Sequence, residues 1–222
     1  MLLQVTFDDV RNSPEIRTYI TQADASLIAL GFTEHSFAHV TRCAQVASDI
    51  LTQLGYDERE IELAKIAAFM HDIGNVINRV DHAQSGAVMA FRILDKMGMP
   101  PAEVATVVTA IGNHDEHTAF PVNAVAAALI LADKTDVRRS RVRNQDISNF
   151  DIHDRVNYAV EQSDVVLDPT EKTITLTLTI NTQVCAVMDY FEIFLQRMLL
   201  CRKAAEFFGL AFRLEINGQM LL

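Results

Sequence analysis

The spacing of apolar residues changes once along this chain, late, and that switch limits the folds open to it. From about residue 13 to residue 163 apolar positions recur every three or four residues, the period of a helix with one buried face. Residues 173–180 then read TITLTLTI, strict alternation of Thr with Ile or Leu, the pattern of a strand with one wet face. In the helical part, Ser13-Pro14-Glu15 is a start signal, with Pro at a first-turn position. A second helix carries Phe37, Val40, Ala44, Ala47, Leu51 and Leu54 and stops at Gly55. Residues 61–70 are apolar nearly all round, which marks a central buried helix. Further stripes are Val88, Phe91, Leu94 and Met97, then Val104, Val107, Val108 and Ile111 after Pro100-Pro101. Pro121 opens an Ala-rich helix that runs through Asp133, and a last helix is expected over 154–162. Beyond the alternating strand come a helix over 184–208 and a second strand over 210–216, before the Asn217-Gly218 turn. The expectation is a helical domain over residues 1–165 and a small strand–helix–strand extension over 166–222.

Composition narrows the function. Half of the 222 residues are hydrophobic and 22% are charged, so the chain folds rather than remaining disordered. A formal charge of −10 would repel nucleic-acid phosphates and anionic lipid, so neither is expected as a partner. The longest apolar run, 124–132, is nine residues, far short of the ~20 that a membrane helix needs. Cys43, Cys185 and Cys201 are odd in number and form no CxxC, which suits buried thiols in a reducing compartment. Asp8 and Asp9 precede the first basic residue, Arg11, unlike a secretory leader, so the expected location is cytoplasmic.

The informative residues are acids and histidines where the helical period expects core. His71 and Asp72 follow Ala67-Ala68-Phe69-Met70 directly. His114 stands three residues after Ile111, Asp133 four after Leu129, and His39 four before Cys43, each on or beside an apolar stripe. A bare carboxylate in a helical core either neutralises or meets a cation, and no Lys or Arg lies within four residues before Asp72. Any one such histidine is more often a hydrogen-bonded structural residue than a ligand. Four helices each contributing a misfit favour a divalent metal, since bundle metal sites are built from His and carboxylate projecting inward.

These residues resemble a known group. His39, the doublet His71-Asp72 within HDIG, and Asp133 within LADKTD are similar to the H…HD…D signature of the HD superfamily of metal-dependent phosphohydrolases. The resemblance covers about residues 35–143 and implies an all-α HD-domain helical bundle, here with an α+β extension. His82-Ala-Gln-Ser-Gly86-Ala87 and Ala110-Ile-Gly-Asn-His114 resemble the next ligand segments of subgroups that hold two metals, the symmetrical dinucleoside tetraphosphate hydrolases and the HD-GYP phosphodiesterases. The GYP stretch itself is missing: Asp115-Glu116-His117 and Phe120-Pro121 stand there instead, which disfavours cyclic-di-GMP.

By this resemblance one divalent ion takes His39, His71, Asp72 and Asp133, and a second takes His82 and His114 with Asp72 bridging. Fe, Mn or Mg suits such a set better than Zn. The implied reaction is attack of metal-activated water on a phosphoester or phosphoanhydride of a small substrate, a nucleotide above all. Asp72 orients the water, and His117 or Lys134 protonates the leaving group. Arg138, Arg139, Arg141 and Arg143 form a basic run; if the helix continues past Asp133, Arg138 and Arg141 clamp a distal phosphate. His35, one turn before His39, reads as an exposed loop residue. The alternatives are a metal-binding regulatory module without catalysis and, less favoured, a di-iron oxygenase on the same scaffold. The alternating Thr strand, as an exposed edge, predicts a homodimer.

Overall fold

In the computed structural model, which describes residues 4–144 and 146–222, the helical period is realised nearly element by element. Helices α1 (Phe7–Asn12), α2 (Pro14–Ala29), α3 (Phe37–Gln53), α4 (Glu58–Met70), α5 (His82–Lys96), α6 (Pro101–Gly112), α7 (Ala124–Lys134) and α8 (Ile152–Ala159) follow in order. Their ends are set locally. Thr6 and Asp9 form a capping box on α1, a short helix that the apolar period did not announce. Ser13 Oγ accepts from Ile16 N at the start of α2, and Asp57 and Asn123 accept the first free amides of α4 and α7. Gly55, at φ +77°, takes the chain out of α3. No helix among the described residues is long and apolar enough to cross a membrane.

The axis of the molecule is α7, whose every residue is buried. Val125, Ala128, Leu129 and Ala132 belong to a core shared with Val40, Leu51, Phe69, Val107 and Ile111 of the bundle. Ala127, Ile130 and Leu131 belong to a second core with Val156, Leu176, Tyr190, Phe194 and Met198. An Ala-rich, charge-poor sequence is what a helix needs to be covered on both sides. The central helix read from the sequence, now α4, is likewise buried from Leu63 to Met70 apart from Lys65.

On α5 half of the expected stripe, Val88 and Phe91, turns outward, while Leu94 and Met97 pack on the core. Val88 and Phe91 are exposed at 69% and 53%, and the buried face is Ala83, Gly86, Ala90, Ile93 and Leu94. Its small residues allow a close approach that large apolar ones would prevent.

The second core is closed by a sheet and a helix: β1 (Val160–Asp168), β2 (Thr173–Ile180), α9 (Val187–Phe207), β3 (Ala211–Ile216) and β4 (Gln219–Met220). Strand order is β1-β2-β3-β4, with β1 antiparallel to β2, β2 parallel to β3 through the α9 crossover, and β4 antiparallel to β3 around Asn217-Gly218. The extension is therefore a four-stranded sheet with one helix, and β1 is a strand where the expected helix over 154–162 should have ended. Glu161 and Gln162 face solvent and mask the strand period. The boundary expected at 165 falls inside β1. On β2 the alternation holds, with Ile174, Leu176, Leu178 and Ile180 in the core. Both of its edges are paired, so β2 is no free edge, and the reason given for a homodimer does not stand.

Candidate metal centre

The apolar helix α4 ends at Met70, and the chain turns through His71 and Asp72 into a 3-10 turn over Ile73–Val76. His71 Nδ1 lies 2.7 Å from the Ala68 carbonyl, His114 Nδ1 2.6 Å from that of Ile111, and His82 Nδ1 3.1 Å from that of Arg79. A carbonyl only accepts, so each Nδ1 donates its proton and each Nε2 keeps a lone pair. His39 Nδ1 is 2.7 Å from Asp136 Oδ2, the same arrangement with a carboxylate as acceptor. Four imidazoles from four parts of the chain are thus held from behind, as metal-ligating histidines are.

Their Nε2 atoms converge on Asp72. Its Oδ2 is 3.2 Å from His71 Nε2 and 3.6 Å from His39 Nε2, and Asp133 Oδ1 lies 3.3 Å from His39 Nε2 and 3.8 Å from His71 Nε2. Its Oδ1 faces the other way, 3.6 Å from His82 Nε2. His82 Nε2 is 3.2 Å from His114 Nε2, two acceptor lone pairs turned on each other with only Arg79 Nη1, 3.1 Å from His82 Nε2, to relieve them. His71 Nε2 and Asp72 Oδ2 are buried and have no hydrogen-bond partner. Orphaned acceptors and opposed lone pairs are expensive in a dry interior, and a cation resolves both. Three of these groupings, His39–His71–Asp72, His71–His114–Asp133 and Asp72–His82–His114, have ligand atoms close enough to share an ion. Cys43 is also near His39 and Asp133, and burial pushes its thiol well above the ordinary range.

Two glycines make this convergence possible. A Cβ on Gly74, of the HDIG stretch, would overlap the His82 carbonyl oxygen and stand 2.5 Å from Gly86 N and 2.7 Å from Ser85 Oγ. A Cβ on Gly86 would lie 3.2 Å from Gly74 N and His71 O. Without them the start of α5 could not sit on the turn after the doublet, and His82 could not reach Asp72.

All six expected ligands therefore come together, while the other expected residues divide. Lys134 is buried, not a surface residue: Nζ is 2.7 Å from Asp133 Oδ2 and 3.3 Å from Glu116 Oε1. Burial lowers its pKa, but the two carboxylates outweigh that and raise it above the ordinary lysine value. The helix does not continue past Lys134, and Arg139–Arg141 is a 3-10 turn, so the expected one-face alignment with Asp133 fails. Arg138 turns to Asp136 Oδ1 at 2.8 Å and Glu34 Oε2 at 3.0 Å. Arg141 is buried and borders the centre, with Nε and Nη1 donating to the Glu34 and Asp136 carbonyls. His117 is exposed, on an outer cleft of about 430 Å³ with Arg79, Asp81, Gln84 and Asp115, and does not join the cluster. His35 is half-buried and borders the centre, not loose in a loop.

Asp136, Glu116 and Arg197 were not found from the sequence. Burial would raise the Asp136 pKa, but His39, Arg141 and Arg138 hold it well below the carboxylate range. Its signal was present in LADKTD, an acid three residues after Asp133 on a buried helix end. Glu116 and Arg197 had no local signal, because what selects them is each other, 81 positions apart, with Nε 2.7 Å from Oε1.

Residues 36–155, just over half of the chain, match the family model described as HD domain. A crystal structure of a predicted HD superfamily hydrolase from an uncultured Thermotogales bacterium is 31% identical, over 56% of this chain and 67% of its own, with a TM-score of 0.45. A comparison with curated proteins gave no match.

Proposed function

The chain belongs to the HD domain family, and on that premise we propose that it is a metal-dependent phosphohydrolase. It would cleave a phosphoester or phosphoanhydride of a small phosphorylated molecule, with a nucleotide as the favoured class. The observation that carries this reading is the division of Asp72, Oδ2 toward His39 and His71 and Oδ1 toward His82. That division suits two divalent ions sharing one carboxylate, one held by His39, His71, Asp72 and Asp133, the other by Asp72, His82 and His114. A donor set of nitrogen and oxygen without thiolate favours Fe, Mn or Mg.

When bound, such ions supply Lewis acidity, which makes water nucleophilic near neutral pH and offsets charge on phosphoryl oxygens. The chain's own groups supply order and charge. The carbonyls of Ala68, Arg79 and Ile111 and the carboxylate of Asp136 fix the imidazoles beforehand, so little reorganises during reaction. Lys134, whose pKa is raised, holds its proton as a fixed positive charge instead of delivering it, which argues against it as the general acid. The outer cleft bordered by Arg79, Gln84 and His117 offers room for the leaving group.

The test is metal content per chain, on protein purified without chelators or a metal-affinity column, alongside phosphate release from a panel of mono- and dinucleotides. About two Fe or Mn per chain, with turnover lost on chelation and restored on reloading, is the expected result. Failure to take up metal on titration would sink the hydrolase reading. Metal uptake with no turnover across the panel would turn it into a metal-binding regulatory module.

A further inference from the structure

One cation at the metal centre comes from beyond the residues that match the family. Arg197 lies in the middle of α9, between Phe194 and Met198, whose side chains are buried in the second core. Its guanidinium carbon lies 4.7 Å over the Phe194 ring, and the side chain borders the small polar cleft lined by Asp72, His82, His114, Asp133 and Lys134. From Arg197 the charges alternate inward: Nε to Glu116 Oε1 at 2.7 Å, Glu116 Oε1 to Lys134 Nζ at 3.3 Å, Lys134 Nζ to Asp133 Oδ2 at 2.7 Å.

Two observations separate Arg197 from an ordinary structural ion pair. First, its side chain is only 23% exposed, yet neither Nη nitrogen donates a hydrogen bond to any described residue. A guanidinium has five donors in a rigid fork, and stacking on Phe194 gives the Nη donors no acceptor while the side chain lines the cleft. Second, Arg141, another guanidinium on this cleft, is already committed: it gives Nε and Nη1 to backbone carbonyls. In a chain of net charge −10, Arg79, Lys134, Arg141 and Arg197 come from separate segments to border this one cleft. These cations face Asp72, Asp133 and Glu116, so divalent metal bound to the cluster would leave the cleft with a net positive charge that suits an anion.

We propose that Arg197 is a substrate-binding residue, delivered to the metal centre by the C-terminal extension. With Lys134 it seats the non-reacting oxygens of a single terminal phosphate, the dianion of a phosphate monoester or the end of an anhydride. The inference rests on the phosphohydrolase reading for its choice of anion. It gives the extension a role in the site that the bundle alone does not supply, since Arg138, the residue expected to clamp phosphate, is turned away to Asp136 and Glu34.

The experiment is calorimetric titration of the metal-loaded full chain with inorganic phosphate, comparing the wild type with Arg197→Met, Arg197→Lys and the double variant Arg197→Met/Glu116→Gln. Loss of a charge-assisted contact predicts about 10- to 100-fold weaker phosphate binding in Arg197→Met, partly recovered in Arg197→Lys, with metal content unchanged. The double variant leaves no orphaned carboxylate, so its Tm should recover while its phosphate affinity stays low. Phosphate affinity in Arg197→Met within twofold of the wild type would overturn the proposal. Recovery of affinity in the double variant would also overturn it, because Arg197 would then serve only to neutralise Glu116. Turnover of p-nitrophenyl phosphate by the wild type is followed in parallel. Its absence, with phosphate binding still dependent on Arg197, would count against the hydrolase reading and in favour of this anion seat.

Discussion

Adding one methyl group at Gly74 should cost the protein part of its metal site before it costs the fold. The new Cβ would overlap the His82 carbonyl oxygen and lie 2.5 Å from Gly86 N, where ordinary contact begins at 3.4 Å. Both atoms are backbone, so no rotamer change relieves the clash, and the first turn of α5 must move away as a unit. That turn carries His82, whose Nε2 stands 3.6 Å from Asp72 Oδ1 and 3.2 Å from His114 Nε2. A displacement of the required size breaks this grouping and leaves His39, His71, Asp72 and Asp133 in place. Overpacking of this kind costs about 1–3 kcal/mol. For a chain of this length that is a fall in Tm of roughly 2–12 °C. The assay is elemental analysis per chain after dialysis, with thermal melting followed by circular dichroism. Gly74→Ala is expected to lose the metal proposed for His82 and His114 and to melt lower. Gly86→Ala, whose Cβ would meet backbone at 3.2 Å, should suffer less. Wild-type metal content and Tm in Gly74→Ala, or a larger loss in Gly86→Ala, would refute the reasoning.

Further outcomes follow from the same geometry. Asp136→Asn removes the carboxylate behind His39 and should weaken metal affinity about 10- to 100-fold, read by competition with a chromogenic chelator. Burial raises the Glu116 pKa, but Lys134 and Arg197 outweigh it and leave the folded value below the ordinary 4.5. The sign is then that its stabilisation is fully present above pH ~4.5 and is lost as pH falls below it. Glu116→Gln should flatten the acid limb of a stability–pH curve measured by urea unfolding; an unchanged slope would contradict the pairing. Burial, with Asp189 beside it, pushes the Cys185 thiol up to about 11, and Cys43 and Cys201 are buried as well. Native protein at pH 8 should therefore react with a thiol reagent far more slowly than free cysteine, with all three thiols released by denaturant.

The ligand cluster was legible because its members violate a local rule. His71, Asp72, His114 and Asp133 interrupt apolar stripes, and an interruption is visible without knowing what lies opposite. Asp136 and Lys134 sit at the end of one such stripe, but their partners, His39, Arg138 and Arg141 for one and Glu116 for the other, come from outside that helix, which the helical period cannot report. Glu116 and Arg197 look like surface charges in their own segments, and only the packing of α9 on α7 brings them together. The basic run misled because Thr135 and Asp136 end the helix, so spacing counted along a continued helix had no geometric meaning. β1 was hidden by exposed polar residues at its start. The face of α5 was misread because close packing selects Ala83, Gly86 and Ala90, and their burial carries less hydrophobic signal than the exposed Val88 and Phe91.

A helix covered on all sides has no solvent face along which it can loosen alone. α7 gives Leu129 to one core and Ile130 to the other, and at its end Asp133 and Lys134 reach the metal cluster. Removing the sheet and α9 would not leave a smaller working bundle; it would strip one wall from the segment that bears a ligand. Melting of the strands, release of metal and collapse of the bundle are then one cooperative event, and amides of α7 should exchange with solvent only when the whole chain opens.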